Sequence, residues 1–152
     1  MRKQFVHSTD CDDIEMGVRR EINGSRVYVT PEGNTYPSIT SILGRQPKPG
    51  IEAWKEKVGY QEASRIMKES SALGTMVHGL CEDYLYNEDL QCDDKEAISV
   101  FNRLRFLLGN IDNIQCIEAP LHSDILKVAG TADCIAEYNG VLSVIDFKTS
   151  RK

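Results

Sequence analysis

Several features that would assign this chain to a particular class are missing from its sequence. No apolar run approaches the roughly 18 residues that a membrane-spanning helix needs. Behind the charged first residues there is no apolar segment of the kind that a secretory signal requires. The five cysteines include no C-x-x-C pair, which disfavours a zinc or iron–sulfur site. We therefore expect a cytoplasmic protein without a membrane partner, whose thiols are reduced and mostly buried.

Positive charge is also scarce. Lysine and arginine together number 18 against 23 acidic residues, which leaves a net charge of −5. A protein that coats nucleic acid non-specifically usually carries a basic surface. In this sequence we find only local basic pairs, namely Lys55 and Lys57, Arg103 and Arg105, and Arg151 and Lys152. This balance disfavours a coat protein, but it is compatible with an enzyme that binds its substrate in a narrow groove.

The pattern of apolar residues predicts an α+β fold in one domain. Residues 1–25 are polar without a clear period, so we interpret them as an N-terminal arm that precedes a domain over residues 26–152. That domain begins with a small hairpin over residues 27–36 and a short helix for which Ser38 is the candidate N-cap. Helices are then expected to pack on a mainly antiparallel or mixed sheet that ends in a hairpin.

Helical periodicity covers the middle of the chain, and strand patterns cover its last third. His78 and Glu82 are four residues apart, so they share one face of a predicted helix. The predicted helix boundaries are a break at Gly59, a start at Ser70 or Ser71, a start at Asp93 or Asp94 and an end at Gly109-Asn110. The predicted strands cover residues 115–121, 128–138 and 141–149, and Asn139-Gly140 joins the last two.

The closing hairpin brings ionisable groups together. Side chains alternate along a strand, so Asp146 and Lys148 point the same way. Asp133 and Asp146 each lie six residues from the Asn139-Gly140 turn, which makes them cross-strand neighbours. Apolar residues on both faces around Asp133 predict that its carboxylate is buried. Because two facing carboxylates repel, a cation or a shared proton is expected between them.

Two interpretations of this hairpin are open. In one, Asp133, Asp146 and the Phe147 carbonyl bind Mg²⁺, while Lys148 orients or helps to deprotonate a water for phosphodiester hydrolysis. In the other, Asp146 and Lys148 form an exposed ion pair in an ordinary hairpin, since D-x-K is a common sequence.

Taken in order, the motifs resemble the PD-(D/E)XK nuclease superfamily and, within it, the RecB-like exonucleases. Residues 130–133 read G-T-A-D, and Asp133 matches the first catalytic aspartate. Residues 146–150 match the D-[FW]-K-T-S motif, and residues 74–78 are similar to the G-T-x-x-H helix motif. Residues 36–43 also resemble the start of phage-type and mitochondrial genome maintenance-type exonucleases.

This resemblance implies a restriction-endonuclease-like core and roles for particular residues. Asp133, Asp146 and Lys148 would be catalytic. His78 would bind Mg²⁺ or Mn²⁺ together with the two aspartates and the Phe147 carbonyl.

Three further residues keep open interpretations. Glu82 and Glu118 match positions that are commonly acidic in the family, and they are possible accessory residues. Glu82 also fits an exposed helical acid, and His78 also fits a core histidine that is hydrogen-bonded within its helix. Trp54 fits a core position or a base-stacking role.

The resemblance implies a metal-dependent DNA exonuclease that acts on single-stranded DNA ends in phage DNA processing or recombination, in the host cytoplasm. In the family a helix with the pattern Q-x-x-x-Y follows the lysine, and no such pattern occurs in this sequence. An alternative is therefore the N-terminal half of a split nuclease, or a non-catalytic subunit. A complementing C-terminal polypeptide or a homo-oligomer would then complete the site. A minimal nuclease with weak activity is a further alternative.

Overall fold

The computed structural model describes residues 3–8 and 17–149, and it has the predicted α+β architecture. These residues form four helices and two three-stranded antiparallel sheets. None of the helices among them is long and apolar enough to cross a membrane. In chain order the elements are β1 (Val18–Ile22), β2 (Ser25–Val29), β3 (Thr35–Pro37), α1 (Ile39–Gly44), α2 (Pro49–Val58), α3 (Tyr60–Leu85), α4 (Lys95–Leu108), β4 (Ile111–Ser123), β5 (Val128–Tyr138) and β6 (Val141–Ile145).

The described chain divides into two units. The helical unit contains α2, α3 and α4 and comprises residues 3–5, 47–111 and 147–149. The sheet unit contains α1 and nearly all of both sheets, and it comprises residues 6–8, 17–46 and 112–146. Part of the predicted arm lies outside the described residues, as do Ser150 of the D-F-K-T-S motif and the basic pair Arg151 and Lys152.

In the helical unit, α3 is one continuous helix. Gly59 separates it from α2 as predicted, because a φ of 91° lies in the left-handed region that glycine adopts readily. The further helix start predicted at Ser70 or Ser71 is wrong, since α3 runs through both serines for 26 residues. Serine marks a helix start only where the chain turns, and no proline or glycine interrupts the helix at this point.

An aromatic stack packs α3 against α4 and against the N-terminal segment. The ring of Tyr84 meets Phe101 edge-on with centroids 5.5 Å apart, and it meets Phe5 in the same way at 5.2 Å. Asn87 fixes Phe5 on both sides: its side chain accepts the Phe5 N–H at 2.8 Å and donates to the Phe5 carbonyl at 3.0 Å. Three aromatic rings therefore pack together in the core of this unit, and the backbone of Phe5 is also held by hydrogen bonds.

The ends of α4 follow the sequence signals. Asp94 Oδ1 accepts the N–H of Ala97 at 2.8 Å, which confirms the predicted N-cap. Gly109 stands at the C-cap, as predicted. Lys3 Nζ donates to the carbonyl oxygens of Gly109 at 3.0 Å and Ile111 at 2.5 Å, so a positive charge lies at the negative end of the helix dipole.

The sheet unit begins with a hairpin that the sequence analysis did not predict. β1 and β2 pair around Asn23-Gly24, whose φ angles are 52° and 71°. Positive φ at both central residues gives a tight turn that matches the twist of the strands. Residues 17–25 therefore belong with the sheet rather than with an arm. The hairpin predicted over residues 27–36 is confirmed by the pairing of β2 with β3.

The second sheet has the order β4-β5-β6, and its last hairpin follows the prediction. Asn139 and Gly140 have φ angles of 52° and 78°, and the register runs from Tyr138–Val141 to Cys134–Ile145. β5 has the predicted bounds and β4 is longer than predicted. β6 ends at Ile145, although the sequence predicts a strand as far as residue 149. Residues 147–149 belong to the helical unit.

A small core joins the elements of the sheet unit. It consists of Tyr28, Tyr36 and Ala129, which are all buried. The Tyr28 hydroxyl lies 2.8 Å from Thr131 Oγ1, and the Tyr36 hydroxyl donates to Asp124 Oδ1 at 2.5 Å. Both phenol groups therefore find a polar partner at the edge of the core, as buried tyrosines usually require.

The cysteines only partly follow the prediction of reduced, mostly buried thiols. Cys81 and Cys134 are buried free thiols, and Cys92 is a half-buried free thiol. Cys116 is disulfide-bonded, so the prediction is wrong at that residue. A disulfide depends on which sulfurs the fold brings together, and the spacing of cysteines along the sequence does not report this.

We expect Gly140→Ala to lower the free energy of unfolding by about 1 kcal/mol, because alanine is strained in the left-handed region. Gly79→Ala is a matched control, since Gly79 lies inside α3 with open space around the position of a Cβ. Alanine there is expected to raise stability by about 0.5 to 1 kcal/mol. Urea unfolding measures both changes. A Gly140→Ala variant as stable as the wild type would contradict the turn geometry.

Candidate active site

His78 lies on α3 and contacts the segment that carries Lys148. Its Nε2 lies 2.8 Å from the carbonyl oxygen of Phe147, a hydrogen bond in which the ring N–H donates. The rings of His78 and Phe147 also pack edge-on, with centroids 5.6 Å apart and planes at 76°. The structure thus brings together, within the helical unit, two groups that the sequence analysis assigned to a metal site.

A second close approach lies one turn earlier on α3. A Cβ atom added to Gly74 would stand 3.5 Å from Oγ1 of Thr149. The hydroxyl of Thr75 instead donates to the Ser71 carbonyl at 3.1 Å, inside its own helix. The glycine and the histidine of the G-T-x-x-H motif therefore lie against residues 147–149. The hydroxyl of its threonine is hydrogen-bonded within α3.

These groups border a cavity of about 960 Å³ in the helical unit. His78 and Lys148 both line it, and the Lys148 side chain is exposed. Trp54, for which the sequence analysis left a base-stacking role open, lines the same cavity. Glu69 and Glu96 also line it, although the sequence analysis did not connect them with the site. No sequence signal distinguishes the two glutamates, because acidic residues are common on the solvated faces of helices.

In the sheet unit, Asp133 and Asp146 lie at the end of the β5–β6 hairpin. The register pairs Cys134 with Ile145, and its continuation by one residue sets Asp133 opposite Asp146, which is just past the end of β6. Asp133 is half-exposed and Asp146 is exposed, so the predicted burial of Asp133 is wrong. Because β6 ends at this point, the apolar neighbours of Asp133 in the sequence do not enclose its carboxylate.

The charge of Asp133 acts on the next residue along β5. Burial raises the pKa of the Cys134 thiol to about 11, and the nearby Asp133 carboxylate contributes to the same shift. A cation bound at Asp133 would offset this negative charge. The pKa of the Cys134 thiol therefore depends on the charge at this end of the hairpin.

The two accessory candidates lie in different settings. Glu118 is exposed on β4 and has a φ of 52°, a left-handed conformation that is uncommon for glutamate. Such backbone conformations occur at bulges and at functional positions. Glu82 is half-buried on α3, one turn after His78. Glu82 therefore shares the helical unit with His78, and Glu118 shares the sheet unit with Asp133.

The G-T-x-D motif also has a packing role in the sheet unit. A Cβ atom on Gly130 would stand only 3.0 Å from Cγ2 of Ile39, the first residue of α1. Ser38, at the predicted N-cap position of α1, is buried and pairs with Ala129 in a parallel bridge. The hydroxyls of Thr131 and Tyr28 are hydrogen-bonded to each other at 2.8 Å. Residues 36–43 therefore pack directly against the strand that carries Asp133.

The predicted donor atoms suit a hard divalent cation. Carboxylate and carbonyl oxygens are the ligands that Mg²⁺ and Mn²⁺ prefer. Across residues 3–8 and 17–149, no group of three or more His, Cys, Asp or Glu side chains is placed to hold a metal ion. The ligand set stays a prediction.

Comparison with known proteins finds similarity to exonucleases. The chain is 28% identical over 142 residues to mitochondrial genome maintenance exonuclease 1 of Mus musculus, which covers 87% of this chain and 42% of that protein. The Homo sapiens protein of that name is 28% identical over 130 residues, covering 78% of this chain and 38% of its own length. The Xenopus tropicalis protein is 30% identical over 129 residues, covering 78% and 37%. No family model matches the chain.

The chain thus spans about two fifths of the length of the curated relatives it matches. This partial homology supports a relationship to nucleases. The finer placement in the PD-(D/E)XK superfamily stays a prediction from the motifs.

Glycine to alanine inside a strand ordinarily raises stability by about 0.5 to 1 kcal/mol, and we expect Gly130→Ala to fall short of this gain because its Cβ would stand 3.0 Å from Ile39 Cγ2. In an Ile39→Ala background the same change should be more favourable by about 0.5 kcal/mol or more, since the opposing methyl group is gone. Urea unfolding of the four proteins of this double-mutant cycle measures the difference. An equal change in stability in both backgrounds would contradict the close approach.

Proposed function

We propose that this chain carries the catalytic residues of a metal-dependent DNA exonuclease that hydrolyses phosphodiester bonds at single-stranded ends. The observation that carries the proposal is the hydrogen bond from His78 to the Phe147 carbonyl, beside a cavity that Lys148 also lines. The similarity to exonucleases of three vertebrates supports the class of activity. The resemblance of residues 36–43 to phage-type enzymes supports a role in phage DNA processing or recombination.

Each predicted residue has a task in this proposal. Asp133, Asp146 and the Phe147 carbonyl hold Mg²⁺ or Mn²⁺, and the resemblance adds His78 as a ligand. When bound, the cation supplies Lewis-acid chemistry at the scissile phosphate and lowers the pKa of a water. Lys148 orients that water, and its ammonium group balances the negative charge on the phosphate.

His78 also has a positioning task. Its hydrogen bond holds the backbone immediately before Lys148, and its ring packs on Phe147, which is only 5% exposed. A small displacement of a catalytic group lowers the rate steeply, so a fixed backbone before Lys148 favours catalysis. This task uses the Nε2–H group of His78, so a metal bond from the same nitrogen would replace the hydrogen bond.

A second candidate function is a subunit that acts only with a partner, either a complementing polypeptide or a second copy of the chain. It is favoured by β6, which lies at the edge of its sheet and leaves Val141, Leu142 and Val144 66%, 65% and 71% exposed. An apolar edge strand invites pairing with another strand. Light scattering that shows a monomer, combined with unaided cleavage of DNA by that monomer, would exclude this candidate.

We expect Lys148→Ala to lower the rate of DNA cleavage by about a hundredfold or more, because the proposed reaction then lacks its cationic group. Lys57→Ala removes the same charge from the exposed surface of α2, and it should leave the rate within about twofold. The measurement is digestion of end-labelled single-stranded DNA with Mg²⁺ or Mn²⁺. Equal rates of cleavage by Lys148→Ala and the wild type would contradict the proposed function.

We expect the wild type to bind Mn²⁺, as measured by calorimetry, and Asp133→Asn to weaken that binding by about tenfold or more. Asp93→Asn is the matched control, since it removes an exposed carboxylate from the loop before α4 and should bind as the wild type does. Chelation with EDTA should abolish cleavage. Cleavage that persists in EDTA would contradict metal dependence.

A further inference from the structure

We propose that a basic cavity on the β1–β2 hairpin binds the phosphodiester backbone of single-stranded DNA, an inference that rests on the proposed function. The cavity has a volume of about 500 Å³ and lies in the sheet unit. It is lined by side chains of the hairpin and of α1, chiefly Arg19, Arg20, Glu21, Arg26, Thr40 and Ser41. None of its lining residues is aromatic, so base stacking is not part of the recognition.

The charge of this cavity is opposite to that of the chain. Arg19, Glu21 and Arg26 share one face of the hairpin and give it a formal charge of +1, whereas the whole chain carries −5. Arg20 pairs with Val27, so its side chain leaves the other face of the hairpin. In the part of the chain that the structure describes, no acidic side chain forms an ion pair with Arg19, Arg20 or Arg26. Their guanidinium groups are therefore available to an external anion.

Another arginine of the chain shows the contrasting arrangement. Arg65 on α3 lies 2.6 Å from Glu62 and 2.6 Å from Glu69. The hydrogen bonds that Arg65 donates to these two carboxylates raise its pKa above the usual value. Lys55 is likewise paired with Glu52 at 2.8 Å. These cations are already neutralised within their own helices.

The hairpin presents its arginines on a firm support. Glu21 stands opposite Arg26 and Arg19 stands opposite Tyr28, so these side chains leave the same face of the sheet. Tyr28 is buried and its hydroxyl meets Thr131, which anchors the hairpin to β5. The arginines themselves are exposed on this anchored framework.

A backbone hydrogen bond also ties α1 to the same hairpin. The N–H of Ser38 donates to the carbonyl of Arg26 at 3.1 Å, immediately before the first residue of α1. The hydroxyls of Thr40 and Ser41 therefore border the arginines in a defined position. Ser41 adds an uncharged donor beside Arg19 and Arg26, whereas the Thr40 hydroxyl lies 2.7 Å from Ser38 Oγ in a hydrogen bond of its own.

This combination of groups matches phosphate. A guanidinium group donates two parallel N–H bonds to a pair of phosphate oxygens, and hydroxyl groups donate to the remaining ones. Contacts to phosphate hold a strand without reading its sequence. The cavity is therefore suited to hold a DNA strand by its backbone, independently of its bases.

The test is the binding of the full chain to a fluorescently labelled oligothymidylate in EDTA, measured by anisotropy over a series of NaCl concentrations. Arg19→Gln/Arg26→Gln is expected to weaken binding by about tenfold or more. For this variant, the slope of log affinity against log salt concentration should be shallower by about 1.4, since each lost phosphate contact contributes about 0.7 to the slope.

The matched control is Lys55→Gln/Arg65→Gln, which lowers the net charge equally but removes cations that are already paired. It should bind within about twofold of the wild type. Equal weakening in both double variants, or unchanged binding in Arg19→Gln/Arg26→Gln, would overturn the inference. It would also be overturned if the arginine variant lost binding to phosphatidylserine vesicles but kept its affinity for DNA.

The outcomes separate this inference from the proposed function. A wild type that binds DNA through the arginines but cleaves none with Mg²⁺ or Mn²⁺ supports the cavity and contradicts the enzyme. A wild type that cleaves DNA, together with an arginine variant that binds and cleaves equally well, supports the enzyme and contradicts the cavity.

Discussion

The close packing of α1 on β5 is the constraint on which the sheet unit depends. Ala129 and Gly130 carry almost no side chain, so Ser38 can pair with the first of them and Ile39 can approach the second. A larger side chain at Gly130 would require Ile39 to move, because a Cβ there would stand 3.0 Å from Ile39 Cγ2. The hydroxyl of Tyr28 on β2 also contacts β5, at 2.8 Å from Thr131 Oγ1.

Motifs that are distant in the sequence contact each other in pairs. Residues 36–43 meet residues 129–131 in the sheet unit, and residues 74–78 meet residues 147–149 in the helical unit. Each contact combines a glycine with a hydrogen bond nearby. Neither Gly74 nor Gly130 has a positive φ. A Cβ would be tight only at Gly130, where it would stand 3.0 Å from Ile39 Cγ2, whereas the 3.5 Å between a Cβ at Gly74 and Thr149 Oγ1 is an ordinary contact. Each of these motifs thus contains residues that contact another motif far away in the sequence.

Local signals predicted much of this fold, and long-range packing decided the rest. The Asn139-Gly140 turn, the break at Gly59 and the Asp94 cap are short-range features, and the structure confirms them. The sequence also named His78 and Lys148, which line one cavity, but it gave no reason to add Glu69 or Glu96. The arginine cavity was missed for a different reason. The cavity forms only because the Asn23-Gly24 turn pairs β1 with β2, whereas the sequence analysis interprets residues 1–25 as an arm.

The continuity of α3 gives the cavity of the helical unit a rigid wall. Ile66 and His78 both line the cavity, and twelve residues of unbroken helix fix them about 18 Å apart along its axis. A break at Ser70, as the sequence indicated, would have left the two ends free to move independently. His78 is also bonded to the carbonyl that precedes Lys148. The backbone position of Lys148 relative to the far wall therefore follows from helix geometry, although residues 147–149 themselves belong to no helix or strand.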